Sequence, residues 1–364
     1  MYKPSIKLEL NGSRFQKWNS ISLRQSLNAL SGITIGLPNP AGLYTNLSIE
    51  DMPIKLYLGW DTDDPPLRFD GYHDNPSWSI AKSGMNMSLT GRDFARILFD
   101  ELTVNSAFDT WGNPLVTGFI IDYIRYINQH LSSPLPEAFE KNNTDDIKED
   151  FAYEFSYEKC LDELQTLCEY GGYEWFAGYD QDNNRKLFIR PPRELVAENV
   201  AHAFVVGDSS RYTDIPAQAD IHLVEALNVK KDFGFKKNYV KVAGKEVSAV
   251  YPLSPPSNPK HLYHENEAIV STGDALAVAR KLWTEKAAPK ILVDFSGVGV
   301  ETLRVGDVVY VNDYRYGASE LPSNLFRIIE INDDIDFGSG WKASFKVADF
   351  VPSLFQFFKG NIGL

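Results

Sequence analysis

Cysteine is nearly absent: the 364 residues hold two, Cys160 and Cys168. They lie on a stretch patterned as one helix, roughly 12 Å apart by helical rise, too far for a disulfide. A chain without structural disulfides fits a reducing cytoplasm. Long apolar runs are missing too. Nothing approaches the roughly 20 residues that cross a bilayer, and the opening MYKPSIKLELNG has no apolar signal core. The expectation is a soluble chain that no ordinary signal peptide exports. Basic residues are in deficit, 36 Lys and Arg against 49 Asp and Glu, for a net charge of −13. That excludes a general nucleic-acid binder, which must neutralise phosphates. The GxSxG, HExxH and Walker patterns are absent. Ser296-Gly297-Val298-Gly299 has a glycine pair but neither a phosphate-loop lysine nor a following helix, so it does not read as a nucleotide loop.

What is there is strand and turn material. Aromatics make up 13%, with 22 Phe and 18 Tyr, beside 25 Gly and 20 Pro, a mixture suited to a β-rich fold with many turns. Period-two alternation predicts strands over Ser5–Leu10, within Trp18–Leu37, over Ile54–Trp60, Leu67–Tyr72 and Trp78–Ile80. The texture then changes. Val116–Leu131 patterns as an amphipathic helix. A second helix starts after Ser156, buries Cys160, Leu161, Leu164, Leu167 and Cys168, and ends at Gly171-Gly172. Tyr173–Phe176 and Lys186–Arg190 follow as a hairpin. Glu140–Asp150 is a polar run. Strand texture returns near Ala226, with Tyr239–Val242 next. After the stiff PLSPPSNP segment (Pro252–Pro259), Thr272–Lys286 patterns as a helix with Ala275, Ala279, Leu282 and Trp283 inward. Strands resume over Ile291–Phe295, Val308–Val311, Phe326–Ile331 and Trp341–Phe350.

One stretch organises the rest. In MNMSLTGRDFARILFD (Met85–Asp100) a strand breaks at Gly91 and passes into a short helix, with Thr90 and Asp93 spaced as in a capping box. WKASFKVADF (Trp341–Phe350) repeats it: Ser88 aligns with Ser344, Leu89 with Phe345, Asp93 with Asp349 and Phe94 with Phe350. Upstream, Phe69 matches Phe326, and Ile54–Leu58 matches Val308–Val311, in the same order and at nearly constant offset. Two copies of one β module flanking an α/β module are the reading.

Side chains that could carry chemistry have plainer explanations. His261 and His264 could share a metal but have no third ligand nearby, and read as an exposed loop pair. Cys160 and Cys168 sit on an acidic helix and read as small core residues. Glu169 with Glu174, or Asp180 with Asp182, could serve glycoside hydrolysis, and Tyr173, Trp175 and Phe176 could form a sugar platform. Strand spacing makes these aromatics core and cross-strand packing more readily. No catalytic, cofactor-binding or metal residue is assigned, and no cofactor is expected.

The order of these pieces resembles the baseplate or tail hub proteins of phage-like contractile machines, the Mu-like and late-control-D-type hubs that share a core with the type VI secretion spike. The residues that carry it are ITIGLPNP (Ile33–Pro40), IKLYLGW then LRFDGYHD with Phe69 and Gly71, SLTGRDFARILFD with Gly91 and Asp93, the helix and hairpin from Ser156 to Pro192, and NYVKVAG and ETLRVGDVVYVND. The resemblance implies a β-rich α+β chain. A first small β-barrel (1–101) and a second (206–252 and 290–350) flank an α/β module (102–205), with a helical insertion at 253–289 and a tail at 351–364. It implies a non-enzymatic structural protein of the virion tail baseplate, assembled in the host cytoplasm. That protein is a homotrimer whose six barrels match a six-fold tail tube to a trimeric central spike. Its partners would be itself, the tail tube protein, the central spike protein and other baseplate proteins, with DNA only in passage through the lumen. The alternatives are a carbohydrate-binding or carbohydrate-cleaving tail protein, and the base of a type VI-like secretion spike.

Overall fold

A computed structural model describes residues 3–47, 49–81, 84–100, 128, 135, 137–139, 159–171, 173–180, 182–232, 236–265, 271–286, 290–316, 324–336 and 340–349. The first seven strands are β1 (Pro4–Leu10), β2 (Ser13–Phe15), β3 (Ser20–Ser26), β4 (Gly32–Pro38), β5 (Pro53–Trp60), β6 (Leu67–Ala81) and β7 (Gly84–Asp93). They pair antiparallel in the order β3-β4-β7-β6-β5-β1-β2. Asn11 and Gly12, both at positive φ, turn β1 into β2 as a two-residue hairpin loop requires. The alternating residues Ile21, Leu23, Ile33, Ile35, Leu37, Ile54, Leu56, Leu58, Met87 and Leu89 are all buried in one core, which is the predicted pattern realised.

Two local expectations are corrected. Leu67–Tyr72 and Trp78–Ile80 are one continuous strand, β6, because the ladder shifts register between His73 and Asn75 and so absorbs the polar stretch as a bulge. Gly91 does not end its strand. It pairs with Ile33 and His73 inside β7, and a Cβ there would meet the Tyr72 carbonyl oxygen at 2.6 Å. The cap of the following turn is Asp93, whose side chain accepts from the Ala95 N–H, while Thr90 Oγ1 donates to the Asn75 carbonyl.

In the middle region lie α1 (Ile97–Asp100), β8 (Glu137–Phe139), α2 (Cys160–Gly171), β9 (Glu174–Tyr179) and β10 (Arg185–Arg190), with β8-β10-β9 as a separate sheet. Cys160, Leu164, Cys168, Trp175, Leu187 and Ile189 pack with Phe94 and Leu98 into a second core. Apart from Asn128, the expected helix at Val116–Leu131 lies outside the described residues, as do the Ser156 cap, the polar run at 140–150, Phe350 and the 351–364 tail.

The last region holds β11 (Val200–Val206), β12 (Asp220–Val224), β13 (Leu227–Asp232), β14 (Tyr239–Ala243), β15 (Ser248–Tyr251), β16 (His261–Glu265), α3 (Thr272–Lys286), β17 (Lys290–Val298), β18 (Val308–Asn312), β19 (Leu325–Asp336) and β20 (Gly340–Ala348). The insertion is more than a helix. Strands β14, β15 and β16 form their own sheet, and Val240 and Val242 pack on Ala275 and Ala279 of α3. Helix α3 buries the small alanines that its 3.6-residue period sets on one face.

The repeat in the sequence is a repeat in strand pairing. In the first copy β3 pairs β4, β4 pairs β7, β7 pairs β6 and β6 pairs β5. In the second, β13 pairs β17, β17 pairs β20, β20 pairs β19 and β19 pairs β18. The registers correspond residue by residue. Leu23, Ile33, Gly91 and His73 stand in one row, and Val229, Val293, Val347 and Ile328 stand in its counterpart. The bulge recurs at the same place, between Ile328 and Glu330. Among the described residues neither ladder closes on itself. Instead β3 of the first pairs antiparallel with β19 of the second, and the two copies share one 14-stranded sheet.

Asp93 and Asp349, aligned in sequence, make the same reciprocal clasp. The Asp93 N–H donates to the Ser31 carbonyl, and the Ser31 N–H donates to Asp93 Oδ2 at 2.5 Å. The Asp349 N–H donates to the Ile291 carbonyl, and the Ile291 N–H donates to Asp349 Oδ1 at 3.0 Å. Each clasp ties the end of the last strand to the start of the strand it pairs with. Burial pushes both carboxyls up, Asp93 to about 6 against the backbone N–H groups of Ser31 and Ala95 that favour its charge. An acid with a folded-state pKa of about 6 rather than 3.8 binds its proton more tightly when folded. Its stabilising contribution is complete below 3.8 and is lost as pH rises through about 6. The melting temperature of the wild type minus that of Asp93→Asn is therefore expected to fall from about pH 4 to about pH 7 and to level off above. A difference that rises over this interval, measured by scanning fluorimetry, would contradict the assignment.

Candidate interaction surface

Among the described residues, the side chains singled out from the sequence do not converge on one site. Trp175 is fully buried, and Tyr173 and Phe176 are buried beside it, so the three present no aromatic platform. Glu174 is buried in an ion-pair cluster, 2.8 Å from Arg190 and 3.4 Å from Arg327. The Glu169 side chain lies outside the described residues. Asp180 closes a turn, accepting from the Asn184 N–H at 2.8 Å and the Asp182 N–H at 3.0 Å, and these bonds hold its carboxyl below the usual range. His261 and His264 are strand residues of β16 rather than a loop pair. At three apart on a strand they point to opposite faces. Cys160 and Cys168 are buried and unlinked. No group of three metal-ligating side chains occurs among the described residues, and no described helix is long and apolar enough to cross a membrane. A groove of about 460 Å³ over β13, β17 and β20 is lined largely by outward-facing polar positions, among them Asn228, Asp294, Ser344 and Lys346.

Buried charge is concentrated instead at the seam between the two ladders. Asp333 of β19 is 0% exposed and Arg68 of β6 is 2% exposed. Arg68 Nε and Nη2 both lie 3.2 Å from Asp333 Oδ2. Trp341 Nε1 donates to Asp333 Oδ1 at 2.9 Å, and Arg68 Nη1 donates to the Leu303 carbonyl at 2.6 Å. Trp60 stacks on Trp341 with centroids 5.2 Å apart, and its Nε1 donates to the Gly299 carbonyl at 3.0 Å. Trp341 and Ile335, at the tip of the β19–β20 hairpin, belong to the core of the first ladder. The second copy thus completes the first.

The β9–β10 hairpin straps this seam. Arg185 of β10 grips Asp70 of β6 with two bonds, at 2.8 and 2.7 Å. Glu174 of β9 reaches Arg327 of β19. Burial pushes the Glu174 carboxyl up against the pull of Arg327 and Arg190. Gly306, at φ 82°, lies under this cluster: a Cβ would come within 2.5 Å of Arg190 Nη2 and 2.7 Å of Glu174 Oε1. The seam is therefore an internal contact that holds the two ladders together, with its charges buried. Sequence reasoning missed the seam because Arg68 and Asp333 are 265 positions apart. The only local signal was a charged residue inside each of two apolar strand patterns.

Breaking one member of a buried pair leaves an uncompensated charge. Arg68→Met is expected to lower stability by about 3–5 kcal/mol in denaturant unfolding, and Arg68→Met with Asp333→Leu to recover most of that. Gly306→Ala, strained in φ and crowded, should cost about 1–3 kcal/mol. Additive losses in the double variant would show that the two charges do not act as a pair.

No protein-family model matches the chain, and no curated protein matches it by sequence. Solved structures do. The 43 kDa tail protein of prophage MuSo2 from Shewanella oneidensis superposes with a TM-score of 0.67 at 14% identity, over 94% of this chain and 98% of that one. The tail protein from Neisseria meningitidis MC58 gives 0.63 at 12% identity, over 95% and 97%. An E. coli protein described as a component of the type VI secretion system, with structural similarity to T4 bacteriophage tail proteins, gives 0.55 at 9% identity, over 94% and 76%. Over nearly its whole length, the chain has the fold of phage tail proteins and of a type VI secretion component.

Proposed function

We propose that the chain is a structural hub of a phage or phage-like contractile tail. It would form a homotrimeric ring in the baseplate that joins a six-fold tail tube to a trimeric central spike. The observation that carries the reading is the duplicated five-strand ladder, with its bulge and its aspartate clasp in the same places. Two equivalent modules per chain let three chains present six similar faces, which is how a three-fold object meets a six-fold one. Each ladder would be the wall of one tube-like barrel, over residues 1–101 and over 206–252 with 290–350, with β14 and β15 of the latter span standing apart in the insertion's own sheet. The middle region (102–205) and the insertion (253–289) would sit as attachments. The fold shared with the Shewanella and Neisseria tail proteins supports this assignment.

The role is assembly and not catalysis. Partners would be further copies of the chain, the tube protein, the spike protein and other baseplate proteins, in a particle assembled in the host cytoplasm. DNA would be met only in transit, and a lumen lined by some of the chain's 49 acidic residues would keep phosphates from adhering. The fold shared with the E. coli protein equally supports the base of a type VI-like secretion spike. The buried state of Tyr173 and Trp175 removes the support for a carbohydrate-handling protein. Light scattering of the purified chain is expected to give three times the monomer mass, and negative-stain images to show rings about as wide as a tail tube. A monomer at all accessible concentrations, with no ring, would overturn the hub reading.

A further inference from the structure

The two ladders are equivalent, but their surroundings are not. From Glu330 to Asp336, β19 is paired on both edges, by β20 on one side and by β3 on the other. Among the described residues, the equivalent stretch of β6, Asn75–Ala81, is paired with β7 alone. Conversely, β3 is paired on both edges, by β4 and β19, whereas its equivalent β13 is paired with β17 alone. Among its described residues, one chain therefore satisfies the first-to-second junction and leaves both halves of the reciprocal junction open.

We propose that β6 of one copy pairs antiparallel with β13 of the next, reproducing between chains the β3–β19 junction within the chain. The inference rests on the ring reading and names the contact that builds it. Carrying the intrachain register across sets Ser77 opposite Lys230, Trp78 opposite Val229, Ser79 opposite Asn228 and Ile80 opposite Leu227. These are the counterparts of Asn332–Arg24, Asp333–Leu23, Asp334–Ser22 and Ile335–Ile21. In the rows equivalent to Asp333–Leu23 and Ile335–Ile21, the pairing sets apolar residue types against apolar ones. Trp78 holds the position of the buried Asp333, so this junction needs no counterpart of the Arg68 pair.

Three further observations fit. The Leu27 N–H donates to the Ile329 carbonyl, so along β19 the backbone groups of residues 331, 333 and 335 point to β3. Their equivalents on β6 are Pro76, Trp78 and Ile80. Pro76 lacks an N–H on the outward edge, where a proline is tolerated in a strand, and the other two keep full hydrogen-bonding capacity there. Second, Ile335 and Trp341 at the tip of the second hairpin fill the core of the first ladder. The first hairpin carries Ile80 and Met85 at those positions. Third, Leu223 just before β13 and Val298 at the end of β17 are 62% and 61% exposed, and the tip of an incoming β6–β7 hairpin would extend over them. A head-to-tail contact of this kind closes into a ring when its rotation closes.

The full chain carrying Ser77→Cys and Lys230→Cys tests the register. These positions are a non-hydrogen-bonded pair by the alternation above, with Cα atoms about 4.5 Å apart, inside the range a disulfide spans. Mild oxidation is expected to link chains into covalent oligomers up to the mass of the assembled particle. Reduction should reverse this, and neither single variant should form them. Ile80→Asp should lower the assembled fraction at least tenfold while the circular dichroism of the monomer stays that of the wild type. Assembled rings that never cross-link would overturn the β6–β13 junction and leave the hub reading standing. A wild-type chain that stays monomeric would overturn both.

Discussion

Everything in this fold depends on one main-chain pairing, that of β3 with β19. A strand edge is a row of backbone donors and acceptors that must find partners or water. By giving the outer edge of β19 to a strand from the other copy, the chain turns two ladders into one sheet. The packing follows from that decision. Ile335 and Trp341 are carried into the first core, Trp60 stacks on Trp341, and Arg68 is brought to Asp333 at full burial.

The charges at the seam select this arrangement over near alternatives. A one-residue slip of a strand turns each side chain to the opposite face. Such a slip would point Asp333 away from Arg68 and leave two charges buried alone, a cost of several kcal/mol per ion. The β9–β10 hairpin adds constraints of the same kind on either side, through Arg185 with Asp70 and Glu174 with Arg327. Gly306 is part of the price of that strap, since its site has no room for a side chain.

Much of the strand content was legible from alternation alone. Ile21 and Leu23, or Ile54, Leu56 and Leu58, read as strands with one buried face and are so in the structure. Helix α3 was legible to its last residue because Ala275, Ala279, Leu282 and Trp283 hold a clean 3.6-residue stripe. The alignment of Asp93 with Asp349 was also legible, although its meaning was not. A capping role was visible locally, while the clasp to Ser31 and to Ile291 needs a partner strand far away in sequence. Gly91 misled because glycine usually marks a turn. Here it marks the close approach of the Tyr72 carbonyl, and nothing within ten residues signals that.

The sequence by itself determined which segments alternate, where chain reversals fall, and that one module occurs twice. These are local or self-similar properties, set by side-chain period and backbone preference. The tertiary structure decided which edges are shared and which are left open. Edge pairing uses backbone groups that every residue carries, so no pattern of side chains announces it. The stretch from Met85 to Asp93 shows the difference. Its pattern specified a strand and a cap, but only the assembled sheet shows that, among the described residues, the hairpin it belongs to keeps an unpaired edge on the strand beside it, where the equivalent hairpin of the second copy has none.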